Sequence, residues 1–485
     1  MGQESIFRPA PCAGSSIARS ARRASVLYGY IYRRVIYPVY HRVIGSGARH
    51  AIDELDSHDS LTADELTDVI SQKLANLLNH AWKNVPYYKD LAAGPLVEGP
   101  YSAVTERLRE FPLLTKETIR REGDRLISDL LDGNKLDPNS TSGSTGSPLS
   151  FFTDRRSKSY RKATVARNRK WLGIRMGESV AHLWGSPIDQ RRAQSLRGRI
   201  HGYVTRELFL SAYALDEESL RRYASTIKSH NARLLIGYPS VLSKFGEFCR
   251  NERITIPSLT AIICSAEALD PHQRHTIKSD FGVPVYNRYG CREVGDIAQE
   301  VPGQGGLLVN ADRIHVEILD HEGGPCEPGT VGEIVVTDLD NYGMPLIRYA
   351  IGDRGSWAPI SCNERQYPYP VLETVEGRSL DVVVCPSGNR VGGTFWTILL
   401  RNRPGIEKFR VIQDSVRSII IEYTTLPDAP DIDLHYFQQK IAETCGVEMS
   451  VTFRKVPAIT AAPNEKMRLV ITRIARGQAE PGATR

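Results

Sequence analysis

Ten consecutive positions, Ser140-Thr141-Ser142-Gly143-Ser144-Thr145-Gly146-Ser147-Pro148-Leu149, concentrate hydroxyls and glycines in one short stretch. A loop of this composition bends freely and can aim backbone N–H groups and hydroxyls at phosphate oxygens. It lacks the G-x-x-x-x-G-K-[ST] pattern, so it is not a Walker loop. Composition alone would suit a flexible linker as well. Against the linker, an apolar segment, Leu149 to Thr153, follows at once. The eight cysteines lie far apart, with no C-x-x-C pair and no Cys/His cluster at metal-ligand spacing. A reduced, cytoplasmic protein is expected.

The elements that must position this loop can be read from periodicity. At 485 residues the chain exceeds one ordinary core, and two or three domains are expected. Residues 1–50 form a basic leader, expected to be partly disordered as far as Ala24. Apolar residues recur at helical spacing from Leu61 to His80, and Thr62 with Glu65 has the form of a capping box. From Ala166 to Ala298 short apolar runs (VAHLWG, LLIGYP, AIICSAE, PVYNRYG) alternate with amphipathic stretches, the rhythm of an α/β unit with parallel strands. From Leu307 to Ala358 strands alternate with Gly-containing turns (HVEILD, EIVVTDL, LIRYAIGD), which predicts an antiparallel β section. Beyond Arg378, strands and helices near 393–401 and 433–445 predict a small α+β unit behind a hinge. The expected division is therefore a leader (1–50), a large α/β N-terminal domain (51–378), a small mobile C-terminal domain (379–478) and a tail (479–485).

Hydrophobic residues at 41% and charged residues at 24% are ordinary for a globular protein. No run of about 18 apolar residues occurs, which excludes a conventional membrane span, and no secretory signal is evident. Val26 to Ile44 mixes tyrosines, branched aliphatics and arginines. This segment reads as a helix packed on the main domain, or secondarily as a membrane-interface helix interrupted by Pro38. The net charge of +6 is concentrated in Arg19–Arg49 and Arg155–Arg175, stretches that suit phosphorylated ligands, an anionic surface or plain solvation. No nucleic-acid partner is expected.

Five stretches then appear in a fixed order: HAWKNVPYYKDL (80–91) with FPLLTKE (111–117), STSGSTGSPL, YNRYGCREVG (286–295), TDLDNYGMPLIRYAIGD (337–353) and EGRSLD (376–381). Jointly they resemble the adenylate-forming superfamily of acyl-CoA synthetases, most closely its phenylacetate-CoA ligase branch with the CapK-like capsule-biosynthesis proteins. The resemblance runs from about Leu66 to Ile474. It implies that Ser142, Gly143, Ser144, Thr145 and Gly146 embrace ATP phosphates, with Thr145 also near Mg²⁺. It implies further that Tyr289 and Gly290 lie near adenine, that Glu293 helps hold Mg²⁺, and that Glu267 lines the adenine pocket. Asp353 would accept the ribose hydroxyls, a geometry suited to a carboxylate. Arg378 would contact phosphate or ribose, and Arg348 would act on phosphate. Asp381 would be the hinge, and Lys466 would reach the α-phosphate. Trp184, Tyr238 and Tyr286 would line the acyl pocket, where core packing is the competing reading for each. Ser147 stands where many members have lysine, and Glu465 where a glycine usually precedes the lysine.

The implied reaction is ATP-dependent activation of a small-molecule carboxylic acid as its acyl-AMP, with transfer to CoA. An amine or hydroxyl acceptor, as in an amide- or ester-forming ligase, is the alternative. A catalytically silent nucleotide-binding relative is a third reading, motivated by Ser147 and Glu465. The basic stretch Arg155 to Lys170 is expected to meet CoA phosphates or an anionic acceptor, or else to be simply solvated.

Overall fold

The computed structural model describes residues 28–37, 39, 47–91, 98–130, 136–141, 149–185, 195–212, 214–269, 271–359, 366–376, 382–400, 405–425, 432–459 and 470–474. The helices used below are α1 (Ala48–His58), α2 (Ala63–Asn84), α3 (Pro86–Leu91), α4 (Tyr101–Arg109), α5 (Lys116–Glu122), α6 (Arg155–Trp171), α7 (Leu196–Thr205), α8 (Glu217–Ser229), α9 (Pro239–Asn251), α10 (Pro271–Phe281), α11 (Gly393–Leu400) and α12 (Leu434–Cys445). A hairpin of β1 (Asp137–Ser140) and β2 (Ser150–Thr153) flanks the hydroxyl/glycine loop, whose residues 142–148 lie outside the described residues.

One continuous sheet organises the large part of the molecule. Its parallel half runs β4 (Glu207–Ser211), β3 (Val180–Trp184), β5 (Leu234–Gly237), β6 (Ala261–Ser265), β7 (Val285–Cys291). It continues through antiparallel β8 (Gly295–Glu300), β9 (Leu307–Val309), β13 (Val371–Glu376), β12 (Tyr349–Trp357), β11 (Gly332–Asp338) and β10 (Ile314–Leu319). The expected strands are found, and the two halves join at the tight β7–β8 turn. Periodicity reports each strand's local environment but not which edges meet. The parallel strands β5 and β6 are buried along their whole length, as strands covered on both faces must be. α8, α9 and α10 cover one of those faces, packing around Leu183, Leu235 and Ile262.

Helix α2 begins as its sequence predicts: the Thr62 hydroxyl accepts from Glu65 N at 3.2 Å while the Glu65 carboxylate accepts from Thr62 N at 2.8 Å. Leu66, Ile70, Leu74, Leu77 and Leu78 are buried against the antiparallel half. LIRYAIGD departs from the expected single strand. β12 starts only at Tyr349, because Arg348 adopts a left-handed backbone with φ 50° that strand pairing cannot include.

The C-terminal part has its own sheet, β18 (Ser450–Lys455), β17 (Ser418–Thr424), β16 (Lys408–Ser415), β19 (Val470–Thr472), with the hairpin β14 (Val382–Val384) and β15 (Arg390–Gly392) beside it. Trp396, Phe409, Ile421, Phe437 and Ile441 fill a separate core there. It meets the large part where Gln273 Nε2 donates to Asn389 Oδ1 at 3.1 Å, and where Gly392 lies against the Glu267 side chain. Residues 377–381, including the expected Arg378 and hinge Asp381, lie outside the described residues, as do 460–469 with Lys466.

Candidate active site

The motif residues converge where β7 turns into β8. Gly290 is required there by packing: a Cβ at that position would sit 2.4 Å from the Gly295 carbonyl oxygen. The turn it permits carries Glu293, which is 4% exposed. Tyr289 Oη donates to Asp353 Oδ2 at 3.1 Å, and Tyr349 Oη donates to Glu293 Oε1 at 2.7 Å. Each strand thus supplies a phenol to a carboxylate held by the other element. Three strands separate β7 from β12 in the hydrogen-bonded order, so the antiparallel half curls until its inner face meets itself.

Burial, with Asp353 beside it, pushes the Tyr289 phenol well above its ordinary value, so it remains a neutral donor at physiological pH. Burial and the nearby Glu293 likewise push the Cys291 thiol up, which makes it an inert packing group. Lys116, at the start of α5, places Nζ 4.0 Å from Glu293 Oε1. The backbone of the Glu293 turn is fixed from behind: Arg161 donates to the carbonyls of Arg292, at 3.0 Å, and Glu293, and Arg313 donates to that of Val294. Both guanidiniums also pair with buried Asp338, Arg313 at 3.0 Å and Arg161 at 3.5 Å.

These supporting groups were missed in the sequence. FPLLTKE carried the signal for Lys116, and the two aspartates of TDLD carried that for Asp338 and Asp340. Asp340 is fully buried and takes Lys73 at 3.2 Å and Arg156 at 2.9 Å. A buried carboxylate with two cationic partners is a tether for the loop that bears it.

Glu267 sits apart from this cluster. Ala266 adopts φ 67°, which turns the chain at the end of β6 and brings the Glu267 carboxylate to the first turn of α9. There Ser240 N donates to Oε2 at 3.2 Å, while Oε1 is buried without a hydrogen-bond partner. Burial raises this carboxyl to about 7.

Two sets of cations expected near phosphates have protein partners. The Arg348 guanidinium, 7% exposed, donates to Glu317 Oε2 at 3.1 Å and to the carbonyls of Arg109 and Phe111 at 3.1 and 3.0 Å. It knits the strap after α4 to β10. Six of the eight cations of α6 pair with acids of the protein: Arg156 with Asp340, Lys158 with Asp137, Arg161 with Asp338, Arg167 with Asp312, Arg169 with Glu207 and Lys170 with Asp56. Helix α6 bridges α1 and the sheet, so these six side chains meet acids of the surrounding elements.

Of the acyl-pocket residues, Trp184 and Tyr238 stack with ring centroids 4.7 Å apart, and Gly185 N donates to Tyr238 Oη at 3.3 Å. Arg288 lies 6.0 Å over the Trp184 ring. Tyr286 instead packs on Val180, Ile236 and Ile263. Ser142, Gly143, Ser144, Thr145 and Gly146 lie outside the described residues.

Residues 211–339, spanning β5 to β11 and the Glu293 turn, match the family model of AMP-binding enzymes. Protein CapK of Staphylococcus aureus is 23% identical over 420 residues, 84% of this chain and 90% of that protein. Phenylacetate-coenzyme A ligase of Escherichia coli K12 is 23% identical over 343 residues, 68% of this chain and 75% of that one. Among solved structures, 2-hydroxyisobutyryl-CoA ligase with 2-HIB-AMP and CoA aligns with TM-score 0.60 at 19% identity, covering 87% of this chain and 93% of that one. That likeness concerns the fold. The chain is an adenylate-forming enzyme of the AMP-binding superfamily. The relatives it resembles there are phenylacetate-CoA ligases and protein CapK.

Proposed function

We propose that this ligase activates a carboxylic acid as its acyl-AMP and passes the acyl group to CoA. The crossed pairs Tyr289–Asp353 and Tyr349–Glu293 carry this reading, because they set two carboxylates at fixed positions on one wall. Asp353, fixed by the Tyr289 hydroxyl, would meet the ribose hydroxyls. Glu293 fits a magnesium site: Mg²⁺ in nucleotide sites takes one or two carboxylates and completes its shell with phosphate and water, so a single buried carboxylate braced by Tyr349 suffices. Thr145 would be its second protein neighbour. When bound, the ion supplies charge neutralisation at the phosphates.

In the reaction, a carboxylate oxygen of the acid bonds to the α-phosphorus while the bond from that phosphorus to the bridging oxygen breaks and pyrophosphate leaves. No base is needed, since the acid is already ionised at neutral pH. The chain's work is positioning and electrostatic. Asp353 and Tyr289 orient the nucleoside, the Ser142–Gly146 loop holds the phosphates, and Lys466 with Arg378 offsets charge developing on phosphate oxygens. Arg348 holds the strap behind this wall. Glu267 serves the adenine side. The Trp184–Tyr238 pair supports an aromatic or other flat apolar acid. CoA thiol attack on the acyl carbon then expels AMP. The experiment is acid-dependent exchange of labelled pyrophosphate into ATP across an acid library, followed by detection of acyl-CoA with the active acid.

A further inference from the structure

Two elements remote from the nucleotide wall expose the apolar side chains that helices ordinarily bury. Residues 28–37 are helical, with a π turn at Tyr32–Ile36. Their inner face is fixed: Tyr32 and Tyr37 are buried with Ile52, Leu55 and Tyr160. Their outer face shows Tyr30 at 56%, Ile31 at 41%, Val35 at 55% and, just beyond, Val39 at 55% exposure. Helix α7 does the same, with Leu196, Ile200 and Tyr203 at 75%, 53% and 85% exposure. Their spacing of four and three residues makes one stripe. Tyr28 joins the elements by donating to the Val204 carbonyl at 2.7 Å beneath the Arg206 guanidinium. Seven of the thirteen exposed large hydrophobics among the described residues lie in these two segments.

The charge on this face has one sign. The described basic side chains of these two elements are Arg34, Arg199 and Arg206, and residues 28–39 and 195–206 contain no aspartate or glutamate. Of the neighbouring acids, Asp53 faces Arg49 at 3.7 Å, Glu207 is paired with Arg169 at 2.7 Å, and Glu178 lies 3.8 Å from Arg233 and also near Arg206. An apolar stripe with interleaved tyrosines and flanking arginines has the composition of an interfacial helix, in which rings and aliphatics enter the headgroup region and guanidiniums meet lipid phosphates. A second copy is the poorer occupant, since a two-fold contact would set these arginines against their own equivalents.

We propose that residues 28–39 and helix α7 together form a docking face for an anionic lipid bilayer, on which the protein lies without crossing. No described helix is long and apolar enough to cross a membrane. The test is co-sedimentation of the full chain with vesicles of phosphatidylcholine alone or with about one third phosphatidylglycerol. The anionic vesicles are expected to bind at least about tenfold more tightly, with the advantage falling as salt rises. Ile200→Glu with Tyr203→Glu is expected to reduce binding at least about tenfold while thermal unfolding stays unchanged. A Tyr203→Trp variant should show a blue-shifted emission on anionic vesicles, a readout independent of the charge reversal. The proposal is overturned if neither vesicle binds at low salt. It is equally overturned if the double variant binds like the parent, or if light scattering shows a dimer that the double variant dissociates.

Discussion

Glu267 shows how a single side chain can set a pH dependence. Its carboxyl lies at about 7 against an ordinary 4.5, because burial disfavours the anion. Between those values the folded chain holds a proton that the unfolded chain has lost, so stability declines as pH rises from about 4.5 to about 7 and the penalty is complete above that. Glu267→Gln should therefore match the parent near pH 4.5 and exceed it by about 2 kcal/mol above pH 7, allowing for the residue's partial exposure. Thermal melts at both pH values would register this, and equal melting points at pH 8 would refute it. Tyr289, Gly290, Glu293 and Asp353 were legible as short motifs because each needs a particular side chain or none at all. Arg348 was not. Its positive φ and its partner Glu317, 31 residues away, are tertiary facts that a motif does not contain.

Helix α6 makes the same point for an element. Seventeen residues with no acid read as a phosphate-facing or solvated helix, yet Arg167 is 1% exposed and grips Asp312 through both terminal nitrogens at 2.6 and 2.8 Å, with Tyr369 and Asn310 alongside. The acids that neutralise α6 come from α1, β4, β11 and the segments around Asp137, Asp312 and Asp340, so one-dimensional charge patterning could not reveal them. Removing one partner of such a buried pair strands the other charge. Arg167→Ala is thus expected to cost about 3–5 kcal/mol in urea unfolding. Lys158→Ala, whose pair is half exposed, should cost less than about 1 kcal/mol. A similar small cost for both would contradict the tether. Elements with strong local signals fared best in the sequence: the Thr62 capping box and the apolar runs of β5 and β6 are found where periodicity puts them, because local chemistry specifies them.

At the scale of the whole molecule, the continuous eleven-stranded sheet brings the parallel and antiparallel halves to one seam, and the motif residues gather at its crossing. Sequence order alone could not show that seam, since the order of strands in space is a product of packing. Among the described residues, the C-terminal part touches the large part where Gln273 meets Asn389 and where Gly392 lies against Glu267. A pivot at Asp381, proposed from the family resemblance, would have to part this contact. A short bis-maleimide bridge between Gln273→Cys and Asn389→Cys, with Cys12 and Cys362 replaced by serine, should retain one half-reaction and abolish multiple turnover. Unchanged turnover in the bridged protein would show that no such movement is needed.

The central claim, that the wall of Tyr289, Asp353, Tyr349 and Glu293 serves acid-dependent adenylate formation, is tested most directly by pyrophosphate exchange into ATP over an acid library. At least one acid should support exchange in the parent. With that acid, Asp353→Ala should lower the rate at least about a hundredfold and Tyr289→Phe about tenfold, both variants remaining folded. Exchange that persists in Asp353→Ala, or its absence for every acid in folded protein that binds ATP, would contradict the account.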